Sequence, residues 1–491
     1  MRAKKDLANI VGKDFVFDDE ATLAKYATDR SFAPSVRPRF VVQPANGSEV
    51  QKIVKWAHET NNPLVPVSSR APHYHGDTVP RVGGAVILDM SRMNKILTIH
   101  APDLVCIVEP GVTFDELIPA LEKEGLAPYM PLCPRANQSA AIAATERNPT
   151  TIPRDAFDII DPFNCCQVVY GTGDLYNTGE AAGPDDTLEK MQEWGNYAVN
   201  AWGLSQWEEG RLVSGAQGTM GIMNWVSMRC RFKEKFGTCY MVPSDTLDPL
   251  FELAYRLLRC RQGDQMFIVN NLNLAALVGK DANEIEEIRN QLPPYILVVG
   301  FMGITDLPEE RFEWQVADFK DFARECGQSL APVETLGPVI GKELFKIINA
   351  TSGDVYWKER FKGGFHDLFF QTMLNKTPGF EETVLKVANS KHFDTGNIGL
   401  YIQPQVQGTS VHCEFDFYYD PEDAAETAKV RDLAEAVAPA VLADGAFFSR
   451  PYGNWAKIAY GRMLDTAVLE RKMKDIFDPE NILNPGRLCF E

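Results

Sequence analysis

An α+β chain of two or more domains is what this sequence predicts, and three observations carry that reading. A length of 491 residues with 45% hydrophobic content can bury more than one core. The first third alternates short apolar strands with peripheral amphipathic helices. A second strand–helix series follows a closing segment at Trp207–Arg231.

The elements follow in order. Ser48–Thr60 has the spacing of an amphipathic helix, and Pro63–Val67 is a short strand leading into a polar loop that runs to Pro80. Ala85–Asp89 and Leu104–Glu109 read as strands. Thr113–Glu124 reads as a helix with a Thr N-cap and acidic residues in its first turn. GDLYNTGE reads as a hairpin, followed by an insertion rich in aromatics (Tyr176, Trp194, Tyr197, Trp202, Trp207) that suits either a substrate channel or a subunit contact. The second series runs through Cys239–Tyr255, Met266–Val269, Tyr295–Gly300 and Arg311–Cys326. Val411–Tyr419 alternates strictly. His412, Glu414, Asp416 and Tyr418 fall on one face, either toward water or as the roof of a pocket. Tyr460–Phe477 reads as one helix, and DPENILNPGR as a turn-rich tail.

Composition narrows the function. A net charge of −18 disfavours nucleic acid and anionic membrane surfaces as partners. Apolar runs such as Tyr295–Met302 are strand-sized, so no membrane span is expected, and the N-terminus does not read as a secretory signal. The ten cysteines include no C-x-x-C, which points to reduced thiols in a cytoplasmic protein and to no zinc or iron–sulfur site.

Four segments carry chemistry. VPVSSRAPHYHG (65–76) joins a strand to a loop of small and hydroxylated residues able to turn several N–H groups toward one anion. CIVEPGV (106–112) ends a strand in a Pro-Gly turn. VSGAQGTMGI (213–222) has three glycines that permit close backbone approach to a flat ligand. FDPENILNPGR (477–487) closes the chain's chemistry.

In this order and at these separations, the four segments resemble the FAD-binding domain of the vanillyl-alcohol oxidase and p-cresol methylhydroxylase superfamily. The resemblance implies a PCMH-type FAD-binding domain over 1–235, a cap domain with an antiparallel sheet over 236–455, and a C-terminal return over 456–491. It implies Ser68, Ser69, Arg70, His73 and Gly76 at the FAD pyrophosphate. Pro110, Gly111, Gly218 and Ile222 would lie along the cofactor, and the tail bearing Arg487 would reach the flavin. Several stretches resemble the phenol-oxidising branch: TERNPTTIP, which puts Glu146 beside the flavin N5; FIVNNLNL; YIQP, which contains Tyr401; and RPYGN, which makes Tyr452 a phenolate-binding tyrosine. Two departures stand out. Gly453 replaces that branch's arginine, and Gly399 and Pro72 occupy the two places where relatives attach FAD through histidine. Non-covalent FAD is therefore expected.

The implied activity is oxidation of a 4-alkylphenol or aryl alcohol by hydride transfer to flavin N5. Glu146, Tyr452 and His412 would handle the proton, Glu414 and Tyr401 would shape the pocket, and no metal would take part. A 2-hydroxy-acid dehydrogenase of D-lactate or glycolate type is the first alternative, although its H-x-G-D-G-N-x-H segment is absent. A non-catalytic FAD-binding subunit is the second. The partners expected are a small-molecule substrate, an electron-acceptor protein and further copies of the chain.

Overall fold

The computed structural model describes residues 2–76, 78–182, 187–203, 208–327 and 330–490. Three main sheets organise them. The first has strand order Val16–Phe17, Phe40–Val42, Val86–Asp89, Leu64–Val67, and its last three strands run parallel. Its inner strands are buried throughout, as apolar runs without alternation require. The helix Gly47–Thr60 covers it, capped by the Asn46 side chain at its start and ended by Asn61 in the left-handed region (φ 50°).

The second sheet is antiparallel and centres on the long strand Ile222–Phe232, which pairs with Val105–Val108, Phe163–Val169 and Leu126–Pro128. GDLYNTGE, expected to be a hairpin by itself, supplies only the second strand of one: Leu175–Asn177 pairs with Phe163–Val169, Gln167 facing Asn177. The helix Phe114–Lys123 opens with a reciprocal capping box between Thr113 and Glu116.

The third sheet is antiparallel with order Phe236–Ser244, Tyr295–Gly303, Gln265–Asn270, Ile398–Gln405, Ser410–Tyr419, Gly364–Thr372. One face meets the helices Asp248–Cys260, Pro308–Cys326 and Ala424–Ala443 through Leu253, Phe319 and Leu433. The other meets Asn271–Val278 and Gly341–Ile348 through Leu274 and Leu344. In Ser410–Tyr419 the alternation splits as the sequence requires. Cys413, Phe415 and Phe417 enter the first core, and Tyr418 enters the second. Both faces are buried, so the row from His412 to Tyr418 does not face water.

The helix expected over Tyr460–Phe477 is two helices, Gly453–Arg462 and Leu464–Phe477. Met463 leaves the helical region (φ −108°, ψ 55°), and Arg462 is tied to the Leu442 carbonyl at 2.7 Å, which redirects the chain. The tail then returns to the first sheet, where Leu483 bridges Leu64. None of the ten cysteines forms a disulfide. Among the described residues no helix is long and apolar enough to cross a membrane.

Candidate active site

A single cavity runs from the loop after Leu64–Val67 to the third sheet. At the near end Ser68, Ser69, His73 and the buried Thr78 line it. The loop is fastened from behind. Ser69 Oγ accepts from the Ser139 N–H at 3.0 Å, Asn137 donates to the Ala71 carbonyl at 2.5 Å, and Arg135 donates to the Pro72 carbonyl. These bonds satisfy the loop's carbonyls on one side and leave its other side open to the cavity.

Next along the cavity is an apolar slot made by Met90, Pro110, Ile142, Gly218, Ile222 and Met223. Gly218 sits at φ 69°, where a Cβ would come within 2.5 Å of the Pro66 ring. The glycine therefore admits the neighbouring strand, not only a flat ligand.

The far end carries the charged groups. Glu146 caps the short helix Ala140–Thr145. Its carboxylate accepts from the Gln217 N–H at 3.2 Å and from the Tyr452 hydroxyl at 3.4 Å. Two residues 306 positions apart in sequence are thus brought together. The Tyr452 ring stacks on His75 at 4.6 Å, and His75 Nε2 lies 2.8 Å from Asp367. Tyr401 and Glu414 line the same wall. His412 does not; it is buried behind Glu414, with Nε2 2.8 Å from that carboxylate. Burial pushes His412 below its ordinary value, so it backs the wall as a hydrogen-bonding partner.

Four further expectations change. Arg70 points outward and pairs with Glu116 at 2.6 Å, because its guanidinium finds a carboxylate and water there. Gly76 is needed for its own backbone. It lies at φ 68°, donates to Asp29 at 2.5 Å, and leaves only 2.6 Å between a Cβ and Ala33. Gly111 rests on the Met90 and Met93 carbonyls, which a Cβ would strike at 2.5 and 2.7 Å. Arg487 is buried and donates to the carbonyls of Gly76 and Val79, bracing the loop from beneath. Of the aromatic insertion, Trp194 and Trp202 are exposed, Tyr197 stacks on His100 at 3.7 Å, and none lines the cavity. Trp207 lies outside the described residues. Gly76→Val is expected to distort the loop and yield protein depleted of flavin, read as the ratio of 450 nm to 280 nm absorbance. Full occupancy would contradict the placement.

Comparison with known proteins adds to this geometry. Residues 38–145 match the model of the FAD binding domain family. An uncharacterized FAD-linked oxidoreductase of Mycobacterium tuberculosis is 23% identical over 98% of this chain and 97% of its own. The structure of p-cresol methylhydroxylase with substrate bound superposes with a TM-score of 0.80 at 18% identity, covering 100% of this chain and 96% of the other. The chain is an FAD-dependent oxidoreductase with the fold of p-cresol methylhydroxylase. A D-lactate dehydrogenase of Anaerostipes hadrus is 21% identical over 98% of this flavoenzyme and 94% of its own length.

The residues present fit FAD. The Thr78 hydroxyl is buried beside the loop with no hydrogen-bond partner among the described residues, a donor placed for a phosphate oxygen. The slot beyond it offers apolar surface of the kind a ring system covers.

Sequence reasoning missed four groups in the flavoenzyme's cavity. Arg450 is 5% exposed, donates to Asn148 at 2.5 Å and lies 4.5 Å over the Phe369 ring. It brings a cation to a pocket that Gly453 was expected to leave without one. Lys358 is 4% exposed, and its ammonium contacts Glu414 and Asp416, the latter at 2.7 Å. His75 and Asp367 link the loop to the third sheet. Lone lysines and arginines are usually solvated, so no pattern in the sequence marks these as buried. Burial pushes Glu414 up, but Lys358 and His412 outweigh it and hold that carboxyl low. Burial and the neighbouring carboxylates push Asp416 up to about 7, against the pull of Lys358.

Proposed function

We propose that this flavoenzyme oxidises a small aromatic substrate, a 4-alkylphenol or aryl alcohol, at the end of the cavity where Glu146 meets Tyr452. Residues 1–235 and 456–491 hold the cofactor in this reading, and 236–455 roof the substrate. Bound FAD supplies the hydride acceptor. The Glu146–Tyr452 contact carries the proposal: a phenol donates to a carboxylate in a pocket also lined by Tyr356, Trp357, Phe365 and Phe369. The aromatic walls exclude water and orient a flat substrate. Glu146 receives the proton released as the substrate is oxidised, and Tyr452 orients the substrate oxygen. Arg450 compensates negative charge on that oxygen. An external electron acceptor and a homo-oligomeric assembly belong to the same proposal.

Arg450 also favours a second reading, because a buried guanidinium suits a substrate carboxylate, as a 2-hydroxy acid would provide. Anaerobic titration separates the two. Bleaching of the flavin by 4-alkylphenols or aryl alcohols, and not by D-lactate or glycolate, is expected. The reverse pattern would replace the first reading with the second, and a flavin that none of them bleaches would remove both.

FAD is expected to be non-covalent, since Gly399 and Pro72 offer no nucleophile at the attachment positions. Acid precipitation should leave all the yellow colour in the supernatant, and colour in the pellet would refute this.

A further inference from the structure

The phenol of Tyr452 is held at its hydroxyl and on its ring face. The hydroxyl donates to Glu146 at 3.4 Å. The ring face is covered by His75, with centroids 4.6 Å apart and planes inclined by 19°. His75 comes from the loop after Leu64–Val67. Asp367, whose Oδ1 lies 2.8 Å from His75 Nε2, comes from the strand Gly364–Thr372. The Phe369 ring meets the same imidazole edge-on at 5.7 Å. His75, Asp367 and Tyr452 all line the cavity, yet the proposed oxidation gives His75 no part. Its backbone lies at φ 63°, a left-handed conformation that strains a histidine and persists where surrounding contacts enforce it. The Asp367 carboxylate and the Tyr452 ring are such contacts.

The charge on this imidazole decides what the stack does. Burial pushes the Asp367 carboxyl up, but His75, Lys358 and His366 outweigh burial and hold it well below the ordinary carboxylate range. An ionised carboxylate at hydrogen-bond distance favours the protonated imidazole. His75 also keeps 24% of its side chain exposed, so water offsets the cost of its charge. His412 meets Glu414 at the same distance of 2.8 Å, but it is buried, and burial pushes it below its ordinary value. Lys358 competes weakly for Asp367, at 3.8 Å, because Glu414 and Asp416 hold its ammonium. An imidazolium over the face of a phenol is attracted to the ring and favours negative charge on the phenol oxygen. The hydroxyl is then a stronger donor.

We propose that His75, protonated against Asp367, is a positioning residue that fixes the Tyr452 ring and strengthens its hydroxyl as a donor to the substrate oxygen. His75 has this role only under the aromatic-substrate reading, since it needs a substrate oxygen at Tyr452. Asp367 then acts on the substrate through two intervening side chains.

4-Nitrophenol probes that donor without turnover, because its colour distinguishes bound phenolate from bound phenol. Difference spectra are recorded for the FAD-loaded wild type, His75→Phe, Tyr452→Phe and the double variant, at a pH where the free probe is partly ionised. His75→Phe keeps a ring against Tyr452 and loses the charge. Its ratio of bound phenolate to bound phenol is expected to fall by about 3–30-fold, the range for a cation over an aromatic ring. In the Tyr452→Phe background the same substitution should change the ratio little, because the hydroxyl through which His75 acts is gone. A loss of packing alone would lower the ratio in both backgrounds. Should His75→Phe fail to fold or to hold flavin, Asp367→Asn is the second variant; it removes the partner that keeps the imidazole charged and carries the same expectation. An unchanged ratio in the single variant, or an equal fall in both backgrounds, overturns the proposal and leaves the aromatic-substrate reading standing. A wild type that binds no 4-nitrophenol, or a Tyr452→Phe variant with the wild-type ratio, overturns both.

Discussion

Glu146→Gln is expected to retain its flavin and to slow flavin reduction by about 10²–10⁴-fold, the usual contribution of a positioned acid–base group. The glutamine keeps the size of the side chain, and its carbonyl can still accept from the Gln217 N–H that now meets the carboxylate at 3.2 Å. What it loses is a base able to take a proton across the contact with Tyr452. The measurement is stopped-flow reduction with whichever substrate the anaerobic panel selects. Tyr452→Phe serves as the companion. It removes the hydroxyl but keeps the ring that stacks on His75 at 4.6 Å, so its effect should fall on substrate binding as well as on reduction. An unchanged reduction rate in Glu146→Gln would remove that residue from the chemistry and direct attention to the wall formed by Lys358 and Glu414.

Lys474→Met is the second substitution with a large expected effect, and it acts on stability. Lys474 is 3% exposed, and its ammonium donates to the Thr219 carbonyl at 2.5 Å, to Asp478 at 2.5 Å and to the Leu483 carbonyl at 3.0 Å. It joins the glycine-rich segment beside the apolar slot to the returning tail. Methionine fills the space but leaves the buried Asp478 carboxylate without its cation, which costs about 3–5 kcal/mol. Asp478 still accepts from the Ile482 and Leu483 N–H groups at 3.0 and 2.8 Å, which favours the lower part of that range. Thermal unfolding should show a lower Tm and earlier flavin release. Adding Asp478→Asn should recover part of the loss, because no unpaired charge then remains. A wild-type Tm with full flavin content in Lys474→Met would show that the tail is held by other contacts.

Much of the fold was legible because local rules and tertiary packing agree. The Thr113 cap, the strand at Val86–Asp89 and the alternation in Ser410–Tyr419 each follow from short-range pattern. The loop after Leu64–Val67 was legible as a loop of small and hydroxylated residues, yet the contacts of its individual residues were not. Gly76 and Gly111 are glycines because protein backbone or side chains crowd them, which spacing alone does not distinguish from ligand contact. Arg70 and Arg487 look alike in sequence. One finds a surface carboxylate, and the other finds buried carbonyls 411 residues away. Lys358 and Arg450 were invisible for the same reason. Whether a lone cation is solvated or buried depends on what the rest of the chain brings to it, and here that is a strand ending more than fifty residues later and an asparagine 302 residues earlier. The break at Met463 escaped because an isolated residue with non-helical ψ leaves no mark on helical periodicity.

The return of the tail to the first sheet bears on how the molecule reaches its native state. Leu483 bridges Leu64, Asn484 donates to the Gln217 carbonyl at 2.8 Å, and Arg487 closes the loop at Gly76. Contacts of such sequence separation form late, since the intervening chain must first give up its freedom. During synthesis the early strands emerge long before the residues that complete them, with apolar surface exposed in the interval. Flavin capture is then expected to follow the folding of everything between, so refolding from denaturant should regain secondary structure well before it regains bound chromophore.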